Sequence, residues 1–325
     1  TMAPSCLVPA PLQLFLLLGT AASLVVALNN RPVIGIVGQK PSDSMLSGLD
    51  DKNYTSYIAA SYVKYLESAG ARVVPILTHQ DDDYYTTIAD SINGILLPGG
   101  GVSITSSSGY GYAADFLYEK VLSKWESGVT LPLWGTCLGF ETLTYLLAGR
   151  HRWLTLCSAE NKVDPLLLEE NFEDSYLFQD MPNNVLEDLI YENTTINFHR
   201  WCMTRENFTA SGLIDDVKLL STNVDYNGLE FVSTMEHKEL PIYGVQWHPE
   251  KNPFEWADDD NHINIPHSPA AIRVAQYFAN KFVLKAREND QSFSSLEEEN
   301  THLIYNHEPF YVHGWSSFMQ IYLFR

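Results

Sequence analysis

Between residues 31 and 150, short β-branched runs alternate with segments whose apolar residues recur at helical spacing, and no other feature narrows the available folds so far. "RPVIGIVGQ" is an apolar run ending near Gly38. "NYTSYIAASYVKYLESAGA" then sets Tyr54, Tyr57, Ile58, Tyr62, Tyr65 and Leu66 at helical spacing up to Gly70, and "RVVPIL" is a second strand. A short helix over 82–91, the strand "GILLPGGG", a Ser/Gly loop, a helix over 113–126, the strand "LPLWG" and a helix after Cys137 extend the pattern. Strands that are apolar throughout and separated by amphipathic helices are parallel and covered on both faces. The expected fold is α/β, a mostly parallel central sheet with helices on both faces, with ligands gathering at the C-terminal ends of its strands.

Beyond residue 150, "TINFHRW", "LEFVSTMEH" and "LPIYGVQWHPE" read as strands with a hairpin component, ahead of a helix near 268–285. Residues 288–300 are polar and acidic, and the tail regains order with "HLIYN" and "SSFMQIYLFR". No internal repeat and no Pro-rich linker divides the chain, so residues 29–325 read as one domain behind a leader at 1–28. The leader is an uncharged apolar stretch over 12–28, with Val25 and Ala27 suiting cleavage after Ala27. A membrane anchor is the alternative, because the stretch is nearly long enough to span a bilayer and no Lys or Arg precedes it.

Three sequons, at Asn53, Asn193 and Asn207, fit the secretory route that a leader implies. The chain carries 20 basic against 40 acidic residues, a net charge of −20, which argues against nucleic-acid binding. The acidic runs 81–83, 258–260 and 297–299 read as solvated loop charge; none has the spaced oxygens and bend glycine of a calcium loop, so no metal is expected and no cofactor. With Cys6 lost in the leader, Cys137, Cys157 and Cys202 remain, an odd set that leaves at least one thiol free. Sequence leaves a Cys157–Cys202 bridge open and makes Cys137 the better free thiol.

Cys137 sits in Gly135-Thr136-Cys137-Leu138-Gly139, the spacing of a nucleophile elbow with cysteine in place of serine. A sharp strand-to-helix turn would hold the sulfur exposed above the sheet, and the helix N-terminus would favour its thiolate. A buried structural cysteine is the competing reading. His248, just past an apolar strand, is a candidate base, and Glu250 could orient its imidazole. The glycines of "ILLPGGGVSI" follow a buried strand; the N–H groups of Gly100 or Gly101, with that of Leu138, would form an oxyanion hole. A flexible turn is the alternative there, and neither a phosphate loop nor a dinucleotide fingerprint is matched.

Taken together, P-G-G after a strand, G-x-C-x-G at an elbow and H-P-E after a late strand resemble the class I glutamine amidotransferase fold, a flavodoxin-like three-layer sandwich. "RPVIGIV", "WGTCLGFE", "NFHRW", "VQWHPEK" and "SSFMQIYLF" narrow the resemblance to the γ-glutamyl hydrolase family of folate polyglutamate peptidases, from about Arg31 to the C-terminus. The resemblance implies a cysteine hydrolase of γ-glutamyl amides, with Cys137 as nucleophile, His248 as base then acid, and His199 serving the site. Glu250 matches the glutamate of H-P-E. The resemblance also implies folate polyglutamates as substrate, a homodimer, lysosomal and extracellular locations, and no membrane association once the leader is gone. Arg200 and Lys251 adjoin the candidates as carboxylate partners or as ordinary surface charge. Two rival readings are a glutaminase subunit feeding ammonia to a synthetase and a secreted binding protein that has lost turnover.

Overall fold

The computed structural model describes residues 28–314 and 316–325; the predicted leader lies outside the described residues apart from its last position. In chain order the strands are β1 (Val33–Val37), β2 (Ser56–Ala59), β3 (Arg72–Ile76), β4 (Gly94–Leu97), β5 (Leu133–Thr136), β6 (Thr155–Asp164) and β7 (Leu167–Leu168). They continue with β8 (Thr195–Cys202), β9 (Val217–Val224), β10 (Glu230–His237), β11 (Ile242–Val245), β12 (Phe310–Tyr311) and β13 (Gln320–Phe324).

Eight of them form one sheet in the order β3-β1-β4-β5-β11-β10-β9-β7. The first five run parallel and β10, β9 and β7 add an antiparallel edge, so the mostly parallel α/β sheet expected from the alternating pattern is present. Strand alternation divides the core between the two faces. Ile34, Ile36, Leu96, Trp134 and Tyr243 face helices Ala60–Ser68 and Pro269–Ala286. Val33, Val37, Ile95, Leu97 and Leu133 face helices Asp82–Ser91, Gly109–Glu126 and Leu138–Leu147. The helices begin where the sequence supplies caps: Asp81 accepts from the Tyr84 N–H, Ser108 from Gly111, and Ser268, followed by Pro269, from Ala271.

Two expectations are corrected. The helical spacing that begins at Tyr54 does not form helix until Ala60; Ser56–Ala59 is a fully buried strand, antiparallel to β13, with Ile321 opposite Ala59 and Phe324 opposite Ser56. A partner more than 260 residues away outweighs local periodicity there. The acidic run 297–299 is also not a solvated loop. It opens helix Leu296–His302, capped by Ser295, and Glu299 is buried in ion pairs with Arg72 and Arg31. The run at 81–83 likewise caps and opens a helix, where acidic side chains complement the helix dipole. Among the described residues no helix is long and apolar enough to cross a membrane.

Candidate active site

The C-terminal ends of four neighbouring parallel strands supply the site: Gln39 just beyond β1, Pro98–Gly101 after β4, Cys137 after β5 and His248 after β11. Cys137 holds φ 52° and ψ −106°, a strained backbone for a side chain with a Cβ. Its N–H donates to the Val245 carbonyl at 2.9 Å and its carbonyl accepts from the Glu141 N–H at 2.9 Å, so sheet and helix both hold the turn. The flanking glycines are needed for approach. A Cβ on Gly139 would overlap the Leu97 carbonyl, and one on Gly135 would overlap the Gly139 backbone.

Gly99 brings the candidates together. A Cβ there would lie 2.7 Å from His248 Cε1, 2.7 Å from the Tyr62 hydroxyl and 3.2 Å from Cys137 Cβ, so only a glycine lets these three groups converge. The Gly99 N–H donates to the Tyr62 hydroxyl at 2.7 Å, and Gln39 Nε2 donates to the carbonyls of Pro98 and Gly99 at 3.2 and 3.1 Å. The P-G-G loop is thereby braced rather than flexible. Gly100 and Gly101 lie with Cys137 on the wall of a 650 Å³ cavity.

His248 is buried, with Nδ1 2.6 Å from Glu250 Oε1. Because the fully buried Glu250 carboxylate can only accept, Nδ1 carries the proton, and Nε2 presents a lone pair with no partner among the described residues. The His248 N–H donates to the Ile196 carbonyl at 2.9 Å, tying the loop to β8. Burial lowers the imidazole pKa below its ordinary value, and the Glu250 carboxylate opposes that shift.

Burial opposes the thiolate expected at this helix N-terminus. Burial pushes the Cys137 pKa well up, and the carboxyls of Glu141 and Glu250 push in the same direction; the Leu138 N–H and the Lys251 charge oppose them without prevailing. Both shifts favour the uncharged forms, a thiol and an imidazole, over the ion pair. The helix N-terminus contributes as expected, but desolvation of a cysteine that is only 4 % exposed is the larger effect.

His199 lies on β8, whose alternation sends Phe198 and Arg200 toward the Cys137 cavity. Its ring makes no hydrogen bond to Cys137 or His248; Nε2 lies 3.2 Å from Asn197 Oδ1, and Nδ1 lies 3.1 Å from the Trp201 carbonyl. Burial and the nearby His248 push its pKa down to about 3. Cys157 and Cys202 form the disulfide that sequence had left open, clipping β6 to β8 beside His199, and Cys137 is the free cysteine among the described residues. With both sulfurs in a disulfide, the Cys157–His199–Cys202 cluster offers no thiolate to a metal. Of the sequons, Asn53 and Asn193 are exposed, whereas Asn207 Nδ2 donates to the Trp153 carbonyl at 2.6 Å and to Thr155 Oγ1 at 2.9 Å.

Sequence reading passed over four residues that shape the site: Tyr62, Gln39, Phe198 and Glu141. Tyr62 was legible only as a core position. Gln39 follows a parallel strand, and Glu141 lies one helical turn after Cys137, so those two had a positional signal. A second cavity, of 600 Å³, meets the first at Cys137 and is lined by Leu138, Glu141, Arg152, His199 and Trp201. A thiol, a carboxylate-oriented imidazole and a glycine loop at one cavity wall are equipment for nucleophilic acyl transfer.

A family model described as peptidase C26 matches residues 32–250. The chain belongs to the peptidase C26 family. Curated C26-type relatives include the gamma-glutamyl hydrolase of Mus musculus, 42 % identical over 91 % of this chain and 90 % of its own length. That of Homo sapiens is 42 % identical over 99 % of both chains, and gamma-glutamyl hydrolase B of Dictyostelium discoideum is 38 % identical over 97 % of this chain and 89 % of its own. Among solved structures, PurLQS from Thermotoga maritima aligns with a TM-score of 0.45 at 16 % identity, over 77 % of this chain and 98 % of that one. The C26 match spans β1 through Glu250, so Cys137, His199 and His248 all fall within it.

Proposed function

We propose that this protein is a γ-glutamyl hydrolase that cleaves the γ-amide bonds of folate polyglutamates and releases glutamate or oligoglutamate. The observation that carries the reading is Cys137 on a strained elbow, sharing one cavity with a His248–Glu250 pair. Full-length likeness to curated hydrolases of that name supports the substrate class. Open volume at Cys137, 650 and 600 Å³ in two adjoining cavities, suits a leaving group of amino-acid size better than the ammonia of a glutaminase.

In this mechanism the neutral thiol of Cys137 gives its proton to His248 Nε2 as sulfur attacks the amide carbonyl carbon, with Glu250 stabilising the imidazolium through Nδ1. The N–H groups of Leu138 and of Gly100 or Gly101 hold the oxyanion, a donor set in which each hydrogen bond is worth on the order of 10²–10³ in rate. His248 then passes the proton to the departing nitrogen, the C–N bond breaks, and a thioester remains on Cys137. Water adds to that thioester with His248 again as base, and the carboxyl product leaves. His199, on the wall of the second cavity and held by Asn197 and the Trp201 carbonyl, acts as a positioning residue that fixes β8 against the site.

The same reading takes residues 29–325 as one catalytic domain, delivered through the secretory pathway to lysosome and extracellular space. The Cys157–Cys202 disulfide and the exposed sequons Asn53 and Asn193 support an oxidising, glycosylating route. A glycan on Asn207 would have to break two hydrogen bonds of its amide. The homodimer rests on resemblance, and sedimentation equilibrium tests it. Product analysis by mass spectrometry, with a folate pentaglutamate at acidic pH, tests the activity. Shortened folates from the unmodified protein and none from Cys137→Ala are expected, and no shortening by either would overturn the reading.

A further inference from the structure

Lys251 is 3 % exposed, yet its ammonium has no ion-pair partner among the described residues and its side chain lines the cavity that holds Cys137 and His248. It is sandwiched between aromatic faces, 5.1 Å from the Phe198 ring centroid and 4.6 Å from that of Phe318. Aromatic faces stabilise a cation but do not replace the water or carboxylate that a buried ammonium ordinarily needs. Of the neighbouring carboxylates, Glu250 is engaged with His248, and Glu255, acceptor of the Met319 N–H at 2.7 Å, lies near enough to feel the Lys251 charge without forming an ion pair with it. Arg200, its rival as a carboxylate partner, has a side chain 71 % exposed and is paired with Glu160 at 2.8 Å. In a chain of net charge −20, Lys251 is thus a buried positive charge held facing the reaction cavity.

Building on the hydrolase reading, we infer that Lys251 binds the α-carboxylate of the leaving glutamate, making the enzyme selective for γ-linked residues that carry a free carboxyl next to the departing nitrogen. The side is assigned by the company Lys251 keeps. His248 must face the nitrogen it protonates, and Lys251 lines the same cavity as His248, whereas neither lines the second cavity. In a γ-glutamyl chain the leaving residue's α-carboxylate is attached to the carbon bonded to that nitrogen, so a cation beside the general acid meets it directly. Phe198 and Phe318 flank the ammonium and limit its contact with water, which strengthens its pairing with an arriving carboxylate.

The test compares a folate diglutamate with the analogue whose terminal residue is 4-aminobutanoate, which keeps the chain and distal carboxylate but lacks the α-carboxylate. The unmodified protein should favour the glutamate substrate in kcat/KM by on the order of 10- to 100-fold, the range of a charge-assisted hydrogen bond. Lys251→Met should collapse that ratio toward one, and Lys251→Arg should restore part of it. A purely structural role for Lys251 would lower both rates together and leave the ratio unchanged, and that result overturns the inference. If Lys251→Met does not fold, the unmodified protein decides alone: a ratio near one overturns the inference. Absence of cleavage of either substrate by the unmodified protein would instead overturn the hydrolase reading itself.

Discussion

Glu141 is 6 % exposed beside Cys137, and burial pushes its carboxyl up to about 8 from an ordinary 4.5, against the hydrogen bond from Gln246 Nε2 at 3.4 Å. Glu141→Gln removes the ionisation and keeps an acceptor for Gln246. Between pH 4.5 and 8 the unfolded carboxyl has lost its proton while the folded one retains it, so the native state binds more protons there. This group's contribution to stability is therefore fully present below 4.5, falls as pH rises, and is lost above about 8. The slope is about 1.4 kcal/mol per pH unit and the whole effect about 5 kcal/mol, a ceiling that water entry and relaxation lower. Urea unfolding followed by tryptophan fluorescence at pH 5.5 and 7.5 measures it. Over that interval the unmodified protein should lose about 2–3 kcal/mol more than Glu141→Gln. His199, with a folded pKa of about 3, has the opposite sign, since its contribution is lost as pH falls below 6.5; present in both proteins, it cancels from the difference. Stabilities that change in parallel with pH in the two proteins would refute the reasoning.

The remaining expectations concern the elbow, the base and the clip. Gly139→Ala drives a Cβ into the Leu97 carbonyl and should cost roughly 3 kcal/mol or more, read as a lowered Tm or loss of soluble protein. Glu250→Gln leaves His248 without an anionic partner for Nδ1 and should lower kcat on the order of 10²- to 10⁴-fold with far-ultraviolet circular dichroism unchanged. Glu141→Gln removes the largest charge effect raising the Cys137 pKa, so alkylation of Cys137 by iodoacetamide should set in at lower pH than in the unmodified protein, most visibly above pH 8. Replacing Cys157 and Cys202 by Ser opens a loop spanning 45 positions and should cost about 4 kcal/mol by the chain-entropy relation, read from urea midpoints.

The layered fold was legible where local pattern and tertiary role agree. Helices Asp82–Ser91 and Pro269–Ala286 lie close to the expected 82–91 and 268–285, and the apolar runs at 33–37, 94–97 and 133–136 are parallel strands buried on both faces. Misreading began where a segment answers to a distant partner. Ser56–Ala59 has helical spacing but pairs with β13, and the acidic turn 297–299 looked solvated because Arg31 and Arg72 are remote in sequence.

In the site, the glycine spacing around Cys137 and the position of His248 at a strand end were readable because they are local demands: a sharp turn tolerates no Cβ at Gly135 or Gly139. Gln39, Tyr62 and the ring of Phe198 carry no such local mark and reach the site through packing. The sequence by itself determined the strand-and-helix order, the elbow and its chemical groups, since these depend on nearest neighbours along the chain. Only the tertiary structure decided the burial of Cys137, the pairing of Cys157 with Cys202 and the burial of Lys251 apart from the exposed, paired Arg200. Desolvation and charge pairing depend on what surrounds a group in space, and those surroundings come from segments that sequence separation alone cannot bring together.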